Sequence, residues 1–333
     1  MIVRVLAGLS VVPFLLGAAS APADREHVAF RFADPAIDEA SALVALPGGL
    51  FATTNDSGDT GRVFVVDRSG ETVGVTRWGD ATDVEALATA PDGDVWVGDI
   101  GDNRAARDAV QVAKVPVGRG DRTVTPTVYD LTYPDGAHDA ETLLCDPATG
   151  RLYVASKGWL GGTLYEAPVR LSADHPSRLR PVAPVLPVAT DGAFFPDGRH
   201  VIVRGYLSAD VYTWPAMTEV GSFTLPKQPQ GEGIGVAPDG TVYASSEGLH
   251  SRVVTVPLPA AVRAAVASAT PSATPSATPS ASPSASPSAT PPAGSEPGSR
   301  TEHHTERSWW PWALGGLVGL AAVGVLLRSL RPR

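Results

Sequence analysis

Cysteine, lysine and long helical patterns are all scarce in this sequence of 333 residues. Its single cysteine, Cys145, excludes an internal disulfide, and the apolar run around it predicts an inert core position. Only three of the 26 basic residues are lysine, and the formal net charge of −9 argues against a nucleic-acid partner. No long segment between residues 24 and 258 has the helical period, which excludes a coiled coil or a helical bundle. The large domain is therefore predicted to consist of strands.

Motifs of several common enzyme classes are also missing from the sequence. It contains no G-x-S-x-G nucleophile elbow, no P-loop and no H-E-x-x-H zinc motif. The run G-E-G-I-G at residues 231–235 does not match the G-x-G-x-x-G dinucleotide fingerprint, and it opens a predicted strand. These absences argue against an α/β-hydrolase, a P-loop enzyme, a zinc protease and a dinucleotide-binding enzyme.

Glycine and proline are abundant, at 34 and 31 residues, and their uneven distribution separates several segments. Residues 1–23 are predicted to be a secretory signal peptide, because Arg4 precedes an apolar run that ends in small residues. Residues 309–327 carry no charge and are long enough to cross a bilayer, and residues 328–333 form a basic tail. We therefore expect a single-pass protein of a bacterial cell membrane, with its N-terminal domain outside and its C-terminus in the cytoplasm.

Residues 260–308 are predicted to be a disordered stalk between the large domain and the membrane. From Ser268 to Pro291 the quartet S-A-T-P or S-A-S-P repeats. Such a segment has no apolar surface to bury, and its prolines favour the extended polyproline II conformation. The stalk is expected to hold the domain away from the membrane.

Residues 24–259 repeat one pattern about every 45 residues, which is the size of a propeller blade. Each unit opens with a polar residue and continues with an apolar run, a proline-containing turn and a second apolar run. Five units predict an all-β fold, a β-propeller of five four-stranded blades, with six blades as the alternative. The last unit lacks a fourth strand, and residues 27–32 are expected to supply it and so close the ring. A β-sandwich would not explain five similar openings.

The repeat pattern places charged residues at one end of the predicted channel. The first two strands of a blade are antiparallel, so the first begins where the second ends. The openings of the first strands contribute Glu85, Glu141, Glu232 and Asp191. The ends of the second strands contribute Asn55, Asp56, Asp99, Lys157, Arg204 and Glu247. We therefore expect an acidic channel mouth.

Crowded carboxylates repel one another, and two arrangements would relieve this repulsion. One is a divalent cation such as Ca²⁺, which takes about six to eight oxygen ligands. The candidate metal ligands are Glu85, Glu141, Glu232, Asp99 and Asp56. The other arrangement is pairing with basic residues, and the candidate ligand-binding residues are Lys157, Arg204, Asp191, Glu247 and Asn55. A structural role, in which these side chains cap turns or join blades, is the alternative for each.

Several motifs together resemble a family of exported bacterial β-propellers of largely unassigned function. They are N-D-S-G-D at residues 55–59, D-V-E-A-L-A at 83–88, D-I-G-D-N at 99–103 and H-D-A-E-T-L-L at 138–144. More distantly, the acid-opened blades are similar to phytase-like propellers and to calcium-dependent lactonase-type propellers. The resemblance implies that Glu85, Glu141 and Glu232 hold Ca²⁺ beside a substrate. Ser41 and Thr190 stand where an acid would complete that ring in the first and fourth units.

Two functions are consistent with these predictions. The first is a membrane-anchored binding module whose ligand or protein partner lies at the acidic mouth, with Ca²⁺ as the candidate cofactor. The alternative is a metal-dependent hydrolase of phosphate esters or lactones, in which Lys157 and Arg204 contact the substrate anion. No catalytic residue is assigned. The partners expected are this ligand or protein, which is not a nucleic acid, and the membrane, through the C-terminal helix.

Overall fold

The computed structural model describes residues 27–56 and 58–268, which form a five-bladed β-propeller. The predicted signal peptide (1–23), most of the predicted stalk and the predicted membrane span (309–327) lie outside the described residues. No helix among the described residues is long and apolar enough to cross a membrane. The prediction of five blades is confirmed, and the alternative of six is not.

The strands, numbered in chain order, take equivalent positions in the five blades. The inner strands are β2 (Val44–Leu46), β6 (Val84–Thr89), β11 (Ala140–Cys145), β16 (Asp191–Phe194) and β20 (Gly231–Val236). The second strands are β3 (Leu50–Thr53), β7 (Val95–Asp99), β12 (Leu152–Ser156), β17 (His200–Arg204) and β21 (Val242–Ser246). The third strands are β4 (Gly61–Val66), β8 (Val110–Val115), β13 (Gly162–Glu166), β18 (Ser208–Thr213) and β22 (Arg252–Val256). A 3₁₀ turn, Pro47–Gly49, joins β2 and β3.

The outer strands complete the blades and close the ring. The fourth strands are β5 (Thr72–Gly79), β10 (Val128–Thr132), β15 (Arg180–Val185), β19 (Glu219–Thr224) and β1 (His27–Arg31). Strand β1 pairs antiparallel with β22, so the first described strand completes the last blade. This confirms the predicted closure, and each inner strand packs against those of the adjacent blades.

Two blades differ from the predicted four strands. The short strands β9 (Arg122–Thr123) and β14 (Ser177–Arg178) add a parallel fifth strand to the first and second blades. Each comes from a connection that belongs in sequence to the following blade. These connections therefore cover an outer edge and join neighbouring blades, which the repeat pattern alone does not predict.

The hydrophobic core is divided into five clusters, one at each interface between adjacent blades. The cluster that joins the last blade to the first contains Phe30, Phe51 and Tyr243, whose rings contact one another edge-on or tilted. Cys145 is buried between the second and third blades, as predicted. Burial raises the pKa of its thiol to about 12, which is consistent with an inert residue.

The glycines of G-E-G-I-G allow the inner strands of the last and first blades to approach closely. A Cβ atom at Gly233 would lie 2.8 Å from the backbone carbon of Ala42 and from Cβ of Leu43. Glycine is therefore required here by packing, because any side chain would push the two blades apart. This explains the motif without a nucleotide ligand.

Residues 260–268 are the one part of the predicted stalk that the structure describes, and they form a helix, α1 (Ala260–Ser268). Val262 is buried in the cluster between the fourth and fifth blades, where it contacts the glycine-containing strand β19. The prediction of disorder for this stretch is wrong, because its alanine-rich sequence favours helix and Val262 anchors it to the propeller.

Candidate functional site

The register of each blade brings the first residues of the inner strand beside the last residues of the second strand. Ala140 pairs with Ser156, Asp191 with Arg204, and Ala40 forms an isolated bridge with Asn55. The predicted placement of polar residues at one end of the channel is thus confirmed. We call this end the mouth and define it by Asp56, Asp83, Glu85, Glu141, Lys157, Glu232 and Glu247.

Three β-bulges direct the three predicted glutamates into the mouth. The pairing register shifts between Val84 and Ala86, which flank Glu85, and the same shift occurs around Glu141 and Glu232. The fourth blade carries Thr190 in place of the glutamate, and its inner pair shows no register shift. Because a bulge adds a residue that is not paired across the ladder, it turns that side chain away from the normal alternation.

Asp56, Asp83 and Glu85 form the tightest group of acids. One carboxylate oxygen of each lies within 4.8 Å of the other two. Asp83 and Glu85 are buried, and Oδ1 of Asp83 has no hydrogen-bond partner. Burial and the neighbouring carboxylate of Asp56 raise the pKa of Asp83 to about 7. Burial, followed by the charge of Glu141, raises the pKa of Glu85 well above its usual range.

The loop that follows β7 supports this group from one side. Asp99 accepts hydrogen bonds from the backbone N–H groups of Thr82 (2.8 Å) and Asp83 (3.1 Å) and from the guanidinium of Arg107 (2.8 Å). The backbone N–H of Gly101 donates to the carbonyl of Asp83 at 3.2 Å. Asp99, a predicted metal ligand, is therefore placed beside the acidic group as a support for its backbone.

On the opposite side of the mouth, a lysine is paired with one of the acids. Nζ of Lys157 forms an ion pair with Oε1 of Glu141 and lies 5.1 Å from the ring centre of Tyr206. Oε2 of Glu141 is buried and has no partner. Burial raises the pKa of Glu141 to about 8, although Lys157 opposes the shift. Burial lowers the pKa of Lys157, but the adjacent Glu141 outweighs it and keeps the ammonium group charged.

Glu232 and Glu247 complete the mouth on the last blade. Burial raises the pKa of Glu232 to about 6, against the opposing charges of Lys157 and Arg204. Glu247 is half-buried, and burial together with the charge of Glu232 raises its pKa to about 7. The pKa values of Glu141, Glu232 and Glu247 therefore all lie above the usual range for a carboxyl group, so this side of the mouth retains protons near neutral pH.

Three of the predicted ligand-binding residues form hydrogen bonds with other groups of the protein. Asp191 is fully buried and accepts backbone N–H bonds from Gly192, Leu43 and Ile234 at 2.7–3.1 Å, which join three blades. Arg204 is also fully buried and donates to the carbonyl oxygens of Gly205, Tyr206, Gly233 and Ser245 and to the side chain of Gln228. Asn55 donates to Ala36 and Asp38, while its Oδ1 atom has no partner.

Asp83 is the member of the acidic group that the sequence prediction of site residues omitted. A signal for it exists, because Asp83 and Asp139 both precede a glutamate by two residues in D-x-E. The two aspartates have different environments, since Asp139 accepts the N–H of Asp102 at 2.9 Å. The repeated D-x-E motif therefore identifies the position of the aspartate. The loop packed against it decides whether the aspartate carboxylate has a hydrogen-bond partner.

The opposite end of the channel is apolar. A cavity of about 420 Å³ there is lined by the ends of the five inner strands and by one proline from each following turn: Pro47, Pro91, Pro147, Pro196 and Pro238. The charged groups of the channel are thus concentrated at the mouth.

Comparisons with known proteins find solved structures of similar fold and identify no family. No protein-family model matches the chain, and no curated protein matches it. Among solved structures it is similar to Kuenenia stuttgartiensis hydrazine synthase, at 15% identity and a TM-score of 0.37, over 68% of this chain and 60% of that chain. It is also similar to the WD40 β-propeller domain of Doa1, at 10% identity and a TM-score of 0.42, over 71% and 97% of the two chains. The chain folds as a β-propeller. Neither similarity bears on its function, and the resemblance to exported bacterial propellers stays a prediction.

Proposed function

We propose that this β-propeller is a binding module, anchored outside a bacterial membrane, whose mouth holds a divalent cation that its ligand requires. A propeller is a fold commonly used to bind proteins or ligands. The observation that carries the proposal is the group formed by Asp56, Asp83 and Glu85, with its buried and unpartnered oxygen. Anchoring rests on the predicted signal peptide and membrane span.

The residues present fit a hard cation such as Ca²⁺. All the candidate ligand atoms are oxygens, and Ca²⁺ binds oxygens at about 2.3–2.6 Å, so two of its ligands lie at most about 5 Å apart. Asp56, Asp83 and Glu85 each offer an oxygen within 4.8 Å of the other two, which satisfies that limit. An unpartnered buried oxygen is costly, and a bound cation supplies the missing interaction. Asp56, Asp83 and Glu85 would hold the ion.

The contacts of the basic residues favour binding over hydrolysis. In the hydrolase alternative, Lys157 and Arg204 contact the substrate anion. Lys157 is paired with Glu141, and Arg204 is buried against backbone carbonyl oxygens. Turnover of phosphate or lactone esters by the calcium-treated chain would instead favour the hydrolase alternative.

A calcium titration of the purified full chain tests the proposed cation site. A cation that binds only the native state raises the thermal midpoint by mass action, and a hundredfold excess over Kd adds about 2.7 kcal/mol to the free energy of unfolding. We expect Asp83→Asn to abolish most of this rise at pH 8, because it removes a charged oxygen from the centre of the group. The measurement is differential scanning fluorimetry after treatment with a chelator.

The matched control is Asp174→Asn, which neutralises an exposed acid in the loop between β13 and β14. This variant should keep the full calcium response. An equal calcium response in wild type and Asp83→Asn, or none in wild type, would contradict the proposed cation site.

Gly101→Ala is expected to weaken the calcium response without a change of charge. A Cβ atom at Gly101 would overlap the carboxyl group of Asp83 and lie 2.8 Å from Cγ of Glu85. Both side chains must move, so we expect an apparent Kd for calcium at least about tenfold higher, since small ligand displacements are costly at metal sites. Calorimetric titration measures Kd, and Gly93→Ala is the control: its Cβ atom meets no neighbour, and the strain at its positive φ of 91° is expected to lower stability but to leave Kd unchanged. An unchanged Kd in Gly101→Ala would show that Asp83 and Glu85 do not bind the cation.

A further inference from the structure

Exposed apolar side chains are concentrated on the mouth face of the propeller. Among the described residues, five large apolar side chains are more than half exposed, and four of them follow the second strands of the third, fourth and fifth blades. We call this set the apolar crest: Trp159 (85% exposed), Leu160 (fully exposed), Leu207 (75%) and Leu249 (60%). Single exposed apolar residues are ordinary, but a set on one face marks an interaction surface.

Backbone hydrogen bonds hold the crest residues in defined turns. Gly161 donates to the carbonyl of Gly158 across the turn that carries Trp159 and Leu160. Gly205 donates to Ser208 across the turn of Leu207, and Ser251 donates to Gly248 across the turn of Leu249. Apolar side chains displayed on ordered turns lose little conformational entropy when a partner covers them.

Each part of the crest adjoins a polar residue of the mouth in sequence. Trp159 follows Lys157 by two residues, Leu249 follows Glu247 by two, and Leu207 directly follows Tyr206, which contacts Lys157. The corresponding loops of the first two blades carry polar residues, and their one large apolar side chain, Ile100, is buried. The exposed apolar side chains of the mouth face thus lie on three blades, and the corresponding loops of the other two blades are polar.

The charge of this face favours a basic partner. Residues 24–258 contain 32 acidic and 19 basic residues. Glu39 is exposed and Glu247 is half-buried. Their loops are joined, because the N–H of Gly248 donates to the carbonyl of Asp38 at 2.8 Å and the N–H of Asp56 donates to the carbonyl of Glu39 at 3.0 Å. A partner cation placed there would relieve their repulsion, in the way that electrostatic complementarity selects partners.

We propose that the mouth face binds a polypeptide segment in which a lysine or arginine is flanked by apolar side chains. The basic group would lie against Glu247 and Glu39, and the flanking side chains would cover Trp159, Leu207 and Leu249. This inference rests on the proposed function, because it names the partner class for the same mouth. An anionic lipid surface fits less well, because the acids of the face would repel it.

Binding of three fluorescein-labelled peptides to the purified full chain in saturating calcium tests this inference. Their centres read Leu-Lys-Leu, Leu-Glu-Leu and Ser-Lys-Ser, so they separate the basic group from the apolar flanks. Fluorescence anisotropy is expected to show that the Leu-Lys-Leu peptide binds at least about tenfold more tightly than either of the others, because it alone provides both interactions. The double variant Trp159→Ser/Leu249→Ser, called the crest variant, should weaken that binding at least about fivefold.

Two controls keep this test separate from that of the cation site. Val169→Ser removes an exposed apolar side chain (74%) from the connection after β13 and should leave peptide binding unchanged. The crest variant should keep the calcium-induced rise in midpoint. A wild type that responds to calcium but does not prefer the Leu-Lys-Leu peptide contradicts only the partner. A wild type that prefers this peptide but does not respond to calcium contradicts only the cation.

Equal affinity for the three peptides, or unchanged affinity in the crest variant, would overturn the inference. A second arm replaces the peptide with a short-chain anionic phospholipid below its micelle concentration. If the lipid binds and the crest variant abolishes its binding, the crest faces a membrane and the polypeptide inference is wrong.

Discussion

Replacing Arg204 with alanine is expected to lower the thermal midpoint by roughly 6–20 °C, because uncompensated buried charges cost about 3–5 kcal/mol and each kcal/mol shifts a domain of this size by about 2–4 °C. The guanidinium is fully buried and donates to four backbone carbonyl oxygens from the fourth and fifth blades. Its loss leaves these oxygens without donors, opens a cavity and removes a cation near Glu232 and Asp191. Scanning calorimetry of the full chain measures the midpoint.

The control for this prediction is Arg199→Ala, which removes an exposed arginine just before the same strand. We expect its midpoint to stay within about 2 °C of wild type, because exposed charges contribute little to stability. A small shift in Arg204→Ala, combined with weaker peptide binding, would contradict the structural role and restore the predicted ligand-binding role of Arg204.

Raising the pH from 5 to 8 in chelated buffer is expected to lower the midpoint by at least about 5 °C, because one pKa unit corresponds to about 1.4 kcal/mol per group. Asp83, Glu141 and Glu232 have pKa values of about 7, 8 and 6 in the folded chain. An unfolded chain has carboxyl pKa values near 4. The folded state therefore binds more protons between pH 4 and 8, and its stability falls as pH rises.

Calcium should reverse this pH trend, since a cation replaces the protons that the mouth retains at low pH. The rise in midpoint on adding calcium is therefore expected to be small at pH 5 and large at pH 8. The double variant Asp83→Asn/Glu141→Gln should flatten the pH dependence in chelated buffer, because it removes two of the shifted groups. A midpoint that is constant or rises with pH in chelated wild type would contradict the shifted pKa values.

Much of the fold followed from local sequence patterns. The spacing of turn residues and apolar runs predicted five blades, and the missing fourth strand predicted closure by residues 27–32. The antiparallel order of the first two strands also predicted which residues meet at the mouth. These features depend on the length of the repeat and on the geometry of strand pairing, and both can be inferred from one sequence.

The chemistry of the individual site residues was less predictable. Nothing in the residues alone distinguishes Asp83 from Asp139, although one carboxylate has an unpartnered oxygen and the other accepts a loop N–H. The spacing of Asp191 and Arg204 suggested ligand binding, but both side chains point into the protein and join blades. Such differences arise from contacts between blades that are distant in sequence.

The repeat pattern was sufficient to predict a ring of five similar β-units with an acidic end. That result follows because blade period, turn chemistry and strand pairing are local or nearly local properties. The folded chain shows which acids crowd into one group, because three bulges and one closely packed glycine set the positions of their side chains. It also placed the apolar crest around the mouth, because the direction of a side chain on a turn depends on the packing of the blades beside it.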